Sequence, residues 1–193
     1  MRPLSEFAAP SRGLGRARGA GFLGKVRGHA VERSVERPGV STAALLEGLG
    51  EQGYAIVHGV PTARGRLDYV VIGPTGAFAI QSEPWRGKVR VSSEPRLTVD
   101  GRDEHATVRQ VRGAANDVAT RLSRAGVVPW VQAVIVVSPK ADLPRARMPI
   151  TSERVTVVRG GDVAGFIREH SGRLSPQDVA RAVDAFSGQP AHS

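Results

Sequence analysis

The sequence predicts an α/β protein with a mixed central sheet flanked by helices. Residues 67–83 contain two apolar runs separated by Gly and Pro, which predicts two strands joined by a tight turn. The amphipathic stretch 104–124 leads into the apolar run VQAVIVV at 131–137, which predicts a helix followed by a strand buried on both faces. A strand that follows a long helix indicates parallel pairing. We therefore expect antiparallel strands first and a parallel pair later.

Length and charge predict one domain with extensions. The chain has 193 residues, of which 40% are hydrophobic, and its formal net charge is +9. Residues 1–38 carry eight Lys/Arg against three Asp/Glu, which predicts a flexible basic arm, a domain over residues 39–187 and a tail over 188–193. Such a charge favours nucleic acid, DNA rather than RNA, as the partner. The excess of Arg over Lys has a second explanation in genome base composition.

Several classes of function are excluded or unsupported. The chain has no cysteine, which excludes disulfides and thiolate chemistry, and its five histidines lack the spacing of a zinc site. Residues 19–25 match the glycine and lysine spacing of a P-loop, but Val26 replaces the required Ser/Thr and no apolar strand precedes them. No secretion signal or membrane span is recognisable, so we expect a cytoplasmic protein of unknown oligomeric state.

The first half of the domain is predicted to contain a helix and three strands. Ser41 or Thr42 caps a helix that runs to about Gly53, where a glycine stops it. A strand at 54–60 and a loop at 61–66 then lead into the hairpin of residues 67–83.

A basic stretch follows the hairpin. Over residues 85–91, three cations alternate with apolar residues, which on a strand places the cations on one face. One interpretation is a solvated strand face, and the other is a surface that follows a phosphate backbone. The cations are Arg86, Lys88 and Arg90.

The second half is predicted to alternate strands and helices. Short strands are expected at 96–99 and 155–158, and a short helix at 162–169. Ser175 and Pro176 open a final helix. The long helix at 104–124 is predicted to bury a stripe of apolar residues spaced three and four apart: Val108, Val111, Ala115, Val118 and Leu122.

The hairpin carries the candidate chemistry. Asp68 lies near the start of its first strand, and Gln81 and Glu83 lie at the end of the second. Because the turn reverses the chain, we expect the three side chains to meet, and Gln81 and Glu83 share a strand face.

These features resemble the nuclease-related domain (NERD) family of the PD-(D/E)XK, restriction-endonuclease-like superfamily, whose core order is αβββαβ. The resemblance runs from about residue 38 to 186. It rests on five segments in this order: TAALL at 42–46, VHGV at 57–60, LDYVVIGP at 67–74, GAFAI at 76–80 and WRG at 85–87.

The resemblance implies a metal-dependent phosphodiester hydrolysis. In the family pattern, one strand supplies an Asp, and the next supplies an acidic residue and a Lys separated by one residue. A Glu often stands on the first helix. Such a site holds Mg²⁺ or Mn²⁺ on carboxylates, and the cation activates a water. The lysine stabilises developing charge.

This chain departs from that pattern at two of three central positions. Asp68 and a helical glutamine, Gln110, match. Gln81 stands at the acidic position, a change that some relatives of the superfamily tolerate, and Glu83 replaces the lysine with the opposite charge. The Glu of the first helix corresponds to Gly39.

Three functions remain open on the sequence. The first is an impaired nuclease retained for nucleic-acid binding. The second is an active Mg²⁺- or Mn²⁺-dependent endonuclease or exonuclease, with Asp68 and Glu83 as metal ligands and Arg86 or Lys88 as the substitute cation. The third is a protein-interaction module whose basic arm binds an acidic partner or a membrane surface.

Overall fold

The computed structural model describes residues 41–92 and 96–187. The arm, the tail, the P-loop-like segment and Gly39 lie outside the described residues. The helices are α1 (Thr42–Glu47), α2 (His105–Arg124), α3 (Val163–Glu169) and α4 (Pro176–Ser187). The strands are β1 (Ala55–Thr62), β2 (Gly65–Gly73), β3 (Gly76–Glu83), β4 (Val89–Val91), β5 (Leu97–Val99), β6 (Arg102–Asp103), β7 (Val131–Val137), β8 (Arg147–Ile150) and β9 (Val155–Arg159).

A six-stranded mixed sheet forms the centre of the fold, in the order β1-β2-β3-β7-β9-β8. The first three strands pair antiparallel, and β3, β7 and β9 pair parallel. The predicted fold class and the order helix, three strands, helix, strand are therefore confirmed. The strands β4, β5 and β6 form a separate small antiparallel sheet.

The first helix is shorter than predicted. Ser41 caps it as expected, because its Oγ accepts a hydrogen bond of 3.1 Å from the Ala44 N–H. The α-helix ends at Glu47, and a 3-10 turn at Gly50–Gln52 follows. Gly53 then ends the segment in a left-handed conformation, with φ 84°.

The predicted loop at 61–66 is wrong, because most of it belongs to β1 and β2. β1 continues to Thr62 and β2 begins at Gly65, which leaves two residues in the turn. The Thr62 hydroxyl closes this turn, since it donates to the Gly65 carbonyl at 2.7 Å and accepts from the Arg64 N–H at 3.1 Å. Polar residues in a side-chain-closed turn give no alternating pattern that would identify a strand.

The long helix α2 is the predicted crossover between β3 and β7. It covers one face of the sheet with the expected stripe. The buried residues of α2 are Val108, Val111, Ala114, Ala115, Val118 and Leu122. The strand β7 that follows is buried over its last five residues, as its apolar run predicts.

The strand predicted over residues 85–91 comprises only β4. The preceding residue, Lys88, forms a single β-bridge with Asp142. Its carbonyl accepts from the Asp100 N–H at 2.9 Å, and its N–H donates to the Asp100 carboxylate at 2.7 Å. Next to it, the Val89 N–H donates to the Asp142 carbonyl at 3.0 Å. The regular strand is therefore shorter than predicted, but burial still alternates along this segment: Arg86 and Lys88 are exposed, whereas Trp85 and Val89 pack on the core.

The sheet buries apolar residues on both faces. α2 and α4 pack on one face, and α1 and α3 pack on the other.

Ser175 caps α4 as predicted, since its Oγ accepts from the Asp178 N–H at 3.1 Å. The edge strand β8 was not predicted, because its sequence RMPI contains a proline. Proline is rare in strands and is tolerated mainly in edge strands. In the part of the chain described here, no helix is long and apolar enough to cross a membrane.

Candidate functional site

Asp68 and Gln81 meet across the β2–β3 hairpin, as the sequence predicts. The register Tyr69 to Ile80 places Asp68 beside Gln81. One oxygen of the Asp68 carboxylate, Oδ2, accepts a hydrogen bond of 3.1 Å from the Gln81 amide and one of 2.7 Å from the Ser82 N–H. Two N–H groups of β3 therefore hold this carboxylate against the end of the strand.

The three predicted site residues point toward α2. Val70 and Ile72 of β2 belong to the core on the α2 face of the sheet, and so does Ala79 of β3. Gln81 and Glu83 lie two and four residues after Ala79, so strand alternation points both to that face. The hydrogen bond from the Gln81 amide places the Asp68 carboxylate beside them. The site therefore lies between the sheet and the N-terminal end of α2.

Glu83 ends β3 in a crowded and negatively charged environment. Burial, together with the nearby carboxylates of Asp68 and Glu104, raises the pKa of its carboxyl group from 4.5 to about 7. Glu104 is the N-cap residue of α2 and its side chain makes no capping hydrogen bond. The sequence did not identify Glu104, although its position just before a long helix is a signal that could have been used.

The donor set does not fit a catalytic Mg²⁺ or Mn²⁺ ion. Hard divalent cations need several oxygen ligands in near-octahedral geometry, whereas Gln81 directs its N–H donor at Asp68. Within residues 41–92 and 96–187, no three Asp, Glu or His side chains are grouped so that they could hold one metal ion. We therefore derive no reaction step through a metal at Asp68 and Glu83.

Gln110 lies on the same face of the sheet but toward the β1–β2 turn. Its side chain is exposed, and its amide nitrogen would lie 3.2 Å from a Cβ at Gly65. Gly65 precedes Asp68 by three residues along β2. Gln110 is thus placed to contact a molecule that lies along this edge of the sheet, beside the turn.

A cation that the sequence did not identify lies on β2 near Asp68. Arg66 precedes Asp68 by two residues on β2. The alternation of faces is broken between Arg66 and Val70, since Leu67 and Val70 belong to the same core cluster. The Arg66 guanidinium covers Gly59 of β1, in the space that a Cβ would occupy. The pairs His58 to Tyr69 and Val60 to Leu67 place Gly59 across from Asp68.

The three predicted nucleic-acid-binding cations differ in their surroundings. Arg90 forms an ion pair of 2.9 Å with Asp142. Arg86 and Lys88 are exposed, and neither forms an ion pair with a described residue. They lie three and five residues after Glu83 along the chain. Arg86 and Lys88 are therefore the cations of this segment that are accessible to an anionic ligand.

Comparison with known proteins identifies the family. The model of the nuclease-related domain (NERD) family matches residues 35–138, which is more than half of the 193 residues. No curated protein and no solved structure gave a significant match. The matched range contains Asp68, Gln81, Glu83 and Gln110 together with the hairpin and crossover helix that position them. The chain is therefore a member of the nuclease-related domain family.

Proposed function

We propose that this chain binds nucleic acid through its nuclease-related domain and that its phosphodiesterase centre is catalytically impaired. One observation carries the second part of the proposal. Glu83, at the position where the family pattern has a lysine, adds a third carboxyl group beside Asp68 and Glu104 instead of a cation. A negative group there opposes the negative charge that develops on a phosphoryl group in the transition state.

The hydrogen bonds of Asp68 support the same conclusion. Its Oδ2 oxygen already accepts two N–H donors from β3. A metal ion approaching that oxygen would have to compete with both bonds, and the Gln81 amide is a weaker ligand than the carboxylate of the family pattern. Chemistry through this centre would therefore need a rearrangement of the strand end.

Exposed cations near the same edge of the sheet support nucleic-acid binding. Arg86 and Lys88 follow the centre, and Arg66 lies beside it. Each phosphate that a Lys or Arg neutralises releases counterions, which is the main driving force of sequence-independent binding. Arg90 is expected to contribute less, since Asp142 already neutralises it.

A mobility-shift titration with duplex DNA, single-stranded DNA and RNA tests the binding. If three phosphates are contacted, affinity for duplex DNA should fall about 40-fold between about 50 and 200 mM salt. Replacing both Arg86 and Lys88 by Ala should weaken binding and flatten this salt dependence. Arg147→Ala is the matched control, because Arg147 lies on the edge strand β8 and its cation is paired with Glu169. No binding of the wild type to any of the three ligands at the lower salt concentration would overturn the proposal.

A cleavage assay tests the impaired centre. The purified wild type and Asp68→Ala should leave plasmid, linear and single-stranded DNA equally intact with Mg²⁺ or Mn²⁺. Cleavage by the wild type that Asp68→Ala abolishes would show an active nuclease instead. Glu83→Lys restores the cation of the family pattern beside Asp68, and cleavage gained by this variant alone would support the proposal directly.

A further inference from the structure

A groove lies between α2 and the segments that precede β7 and β9. Its volume is about 490 Å³, within the range of about 300–1,000 Å³ that is typical of small-ligand pockets. One wall is Trp130, whose surface is 54% exposed. Trp130 and Val128 of the same loop are the large apolar side chains that the described residues leave exposed. An exposed tryptophan at the rim of a groove is typical of a binding surface.

The indole of Trp130 is paired with a cation. The Arg154 guanidinium carbon lies 5.2 Å from the centre of the Trp130 ring. Arg154 has φ 55° and ψ 36°, a left-handed conformation that is unfavourable for a residue with a Cβ. This conformation ends the 3-10 turn Thr151–Glu153, and the Arg154 N–H bonds to the Thr151 carbonyl at 3.2 Å. The turn thus holds a strained residue beside the indole.

The groove carries an excess of positive charge. Arg112 of α2 lines it and donates to Glu153 at 2.7 Å, although the Arg112 side chain stays 51% exposed. Arg154 forms no ion pair with any residue in the described ranges. Two guanidinium groups therefore face one carboxylate. Neutral hydrogen-bonding groups are supplied by Asn116 and Ser152.

We propose that this groove binds one unpaired nucleotide of a nucleic-acid strand, with the base stacked at Trp130 and the adjoining phosphate held by Arg154 and Arg112. Aromatic rings accept any base by stacking, and the planar guanidinium suits phosphate oxygens. A base within a duplex is already stacked and paired, so the groove selects single strands or unpaired ends. The inference rests on the proposed function, because both assume a nucleic-acid ligand, but it assigns a second site.

The two sites lie at opposite ends of the same strands. In the parallel pair of β3 and β7, Ala77 pairs with Val131 at one end and Glu83 with Val137 at the other. Six residues of strand separate these ends by about 20 Å. Trp130 directly precedes Val131, so Trp130 is about that far from Glu83. The opposite wall of the groove is nearer to the first site, because Glu153 pairs with His105 at the start of α2, beside Glu104.

Fluorescence anisotropy tests the proposal with a labelled oligothymidylate of about 16 nucleotides. The same strand in a duplex is measured for comparison. Trp130→Ala should weaken single-strand binding about 5- to 150-fold, as expected for the loss of one stacked base, and should change duplex binding less than twofold. Trp130→Phe should retain most of the affinity. Arg154→Ala should weaken single-strand binding and lower its salt dependence by about one phosphate contact. Val128→Ser, in the same loop but outside the groove, should bind as the wild type does.

Intrinsic fluorescence gives a second measurement that does not depend on the folding of Trp130→Ala. The chain has two tryptophans, so in Trp85→Phe the signal comes from Trp130 alone. Oligothymidylate should quench it, and an absence of quenching under conditions where the strand is bound would overturn the stacking.

The outcomes separate this proposal from the proposed function. If the wild type binds DNA and Trp130→Ala binds it with the same affinity, the groove site is refuted but nucleic-acid binding remains. Wild-type protein that binds neither strand nor duplex refutes both. A wild-type dimer that Trp130→Ala converts to a monomer in sedimentation, with unchanged single-strand affinity, would identify the patch as an interface between copies and overturn the proposal.

Discussion

Glu83 is the side chain on which the proposed impairment of the site rests. It is partly buried and close to two other carboxylates, which raises its pKa to about 7. Near neutral pH the group therefore exchanges between its protonated and ionised forms. When ionised it repels Asp68 and Glu104, whereas a lysine at this position would attract both. This charge supports the proposal that the centre is catalytically impaired.

The raised pKa predicts a pH-dependent cost in stability. Between pH 4.5 and about 7 the native state binds the Glu83 proton more tightly than the unfolded state does, so stability falls as pH rises through this window. Glu83→Gln removes the ionisable group and keeps its shape. Above pH 7 the variant should be more stable than the wild type by about 1–2 kcal/mol, a value discounted for solvent screening of a partly exposed group.

Urea denaturation of both proteins at several pH values measures this difference. The stabilities should converge as the pH falls toward 4.5, because Glu83 is then protonated in the native state. A difference that is independent of pH would contradict the role of Glu83 ionisation and point to a packing effect of the substitution.

At the scale of elements, the β2–β3 hairpin depends on a close contact at its turn. The Tyr54 ring lies on Gly73, in the space that a Cβ at this position would occupy. The Tyr54 hydroxyl also bonds to the Thr75 hydroxyl at 2.9 Å, and Thr75 in turn donates to the Ile167 carbonyl at 2.7 Å. These contacts tie the turn to the segment before β1 and to α3.

Gly73→Ala should therefore destabilise the fold. The added methyl group would overlap a ring that is anchored by its hydroxyl, and overpacking of this kind costs about 1–3 kcal/mol. Thermal or urea unfolding measures the loss. Gly48→Ala is the matched control, because a Cβ at Gly48 meets nothing within 4 Å and its φ is negative, and it should change stability by less than about 0.5 kcal/mol. Equal stabilities of the two variants would contradict the contact.

At the scale of the whole molecule, elements beyond the family match complete the domain. The match ends at residue 138, but β9 pairs with β7, and α4 packs on the α2 face of the sheet. Arg121 of α2 joins the two helices, since its Nε donates to the Ala185 carbonyl at 2.8 Å and its guanidinium lies 4.6 Å from the Phe186 ring centre. The burial of these groups is expected to hold α2 in place over the site.

We predict that residues 39–187 fold cooperatively and that residues 39–138 alone do not. Truncation at 138 would turn the buried strand β7 into an exposed apolar edge and remove the partners of α2. Circular dichroism and thermal unfolding of the two fragments measure this. A cooperative transition of the shorter fragment would show that the C-terminal elements are dispensable.

The parts of the fold that follow from the sequence are those with a clear periodicity. The stripe Val108, Val111, Ala115, Val118 and Leu122 predicted α2, and VQAVIVV predicted β7, because burial repeats every 3.6 residues in a helix and is continuous in a central strand. The β1–β2 turn and β8 were missed, since PTARGR and RMPI lack such a pattern. The strand predicted over residues 85–91 is limited to β4, because hydrogen bonds to Asp100 and Asp142 decide the course of the residues before it.

The sequence by itself determined the family pattern, the hairpin that joins Asp68 to Gln81, and the charge reversal at Glu83, since these are properties of residue identity and strand alternation. Only the tertiary structure placed Glu104 near Glu83, Arg66 over Gly59 and Arg154 beside Trp130. Each of these contacts joins different secondary-structure elements or lies across a strand pair, and such distances depend on how the sheet and its helices pack. No local pattern encodes them.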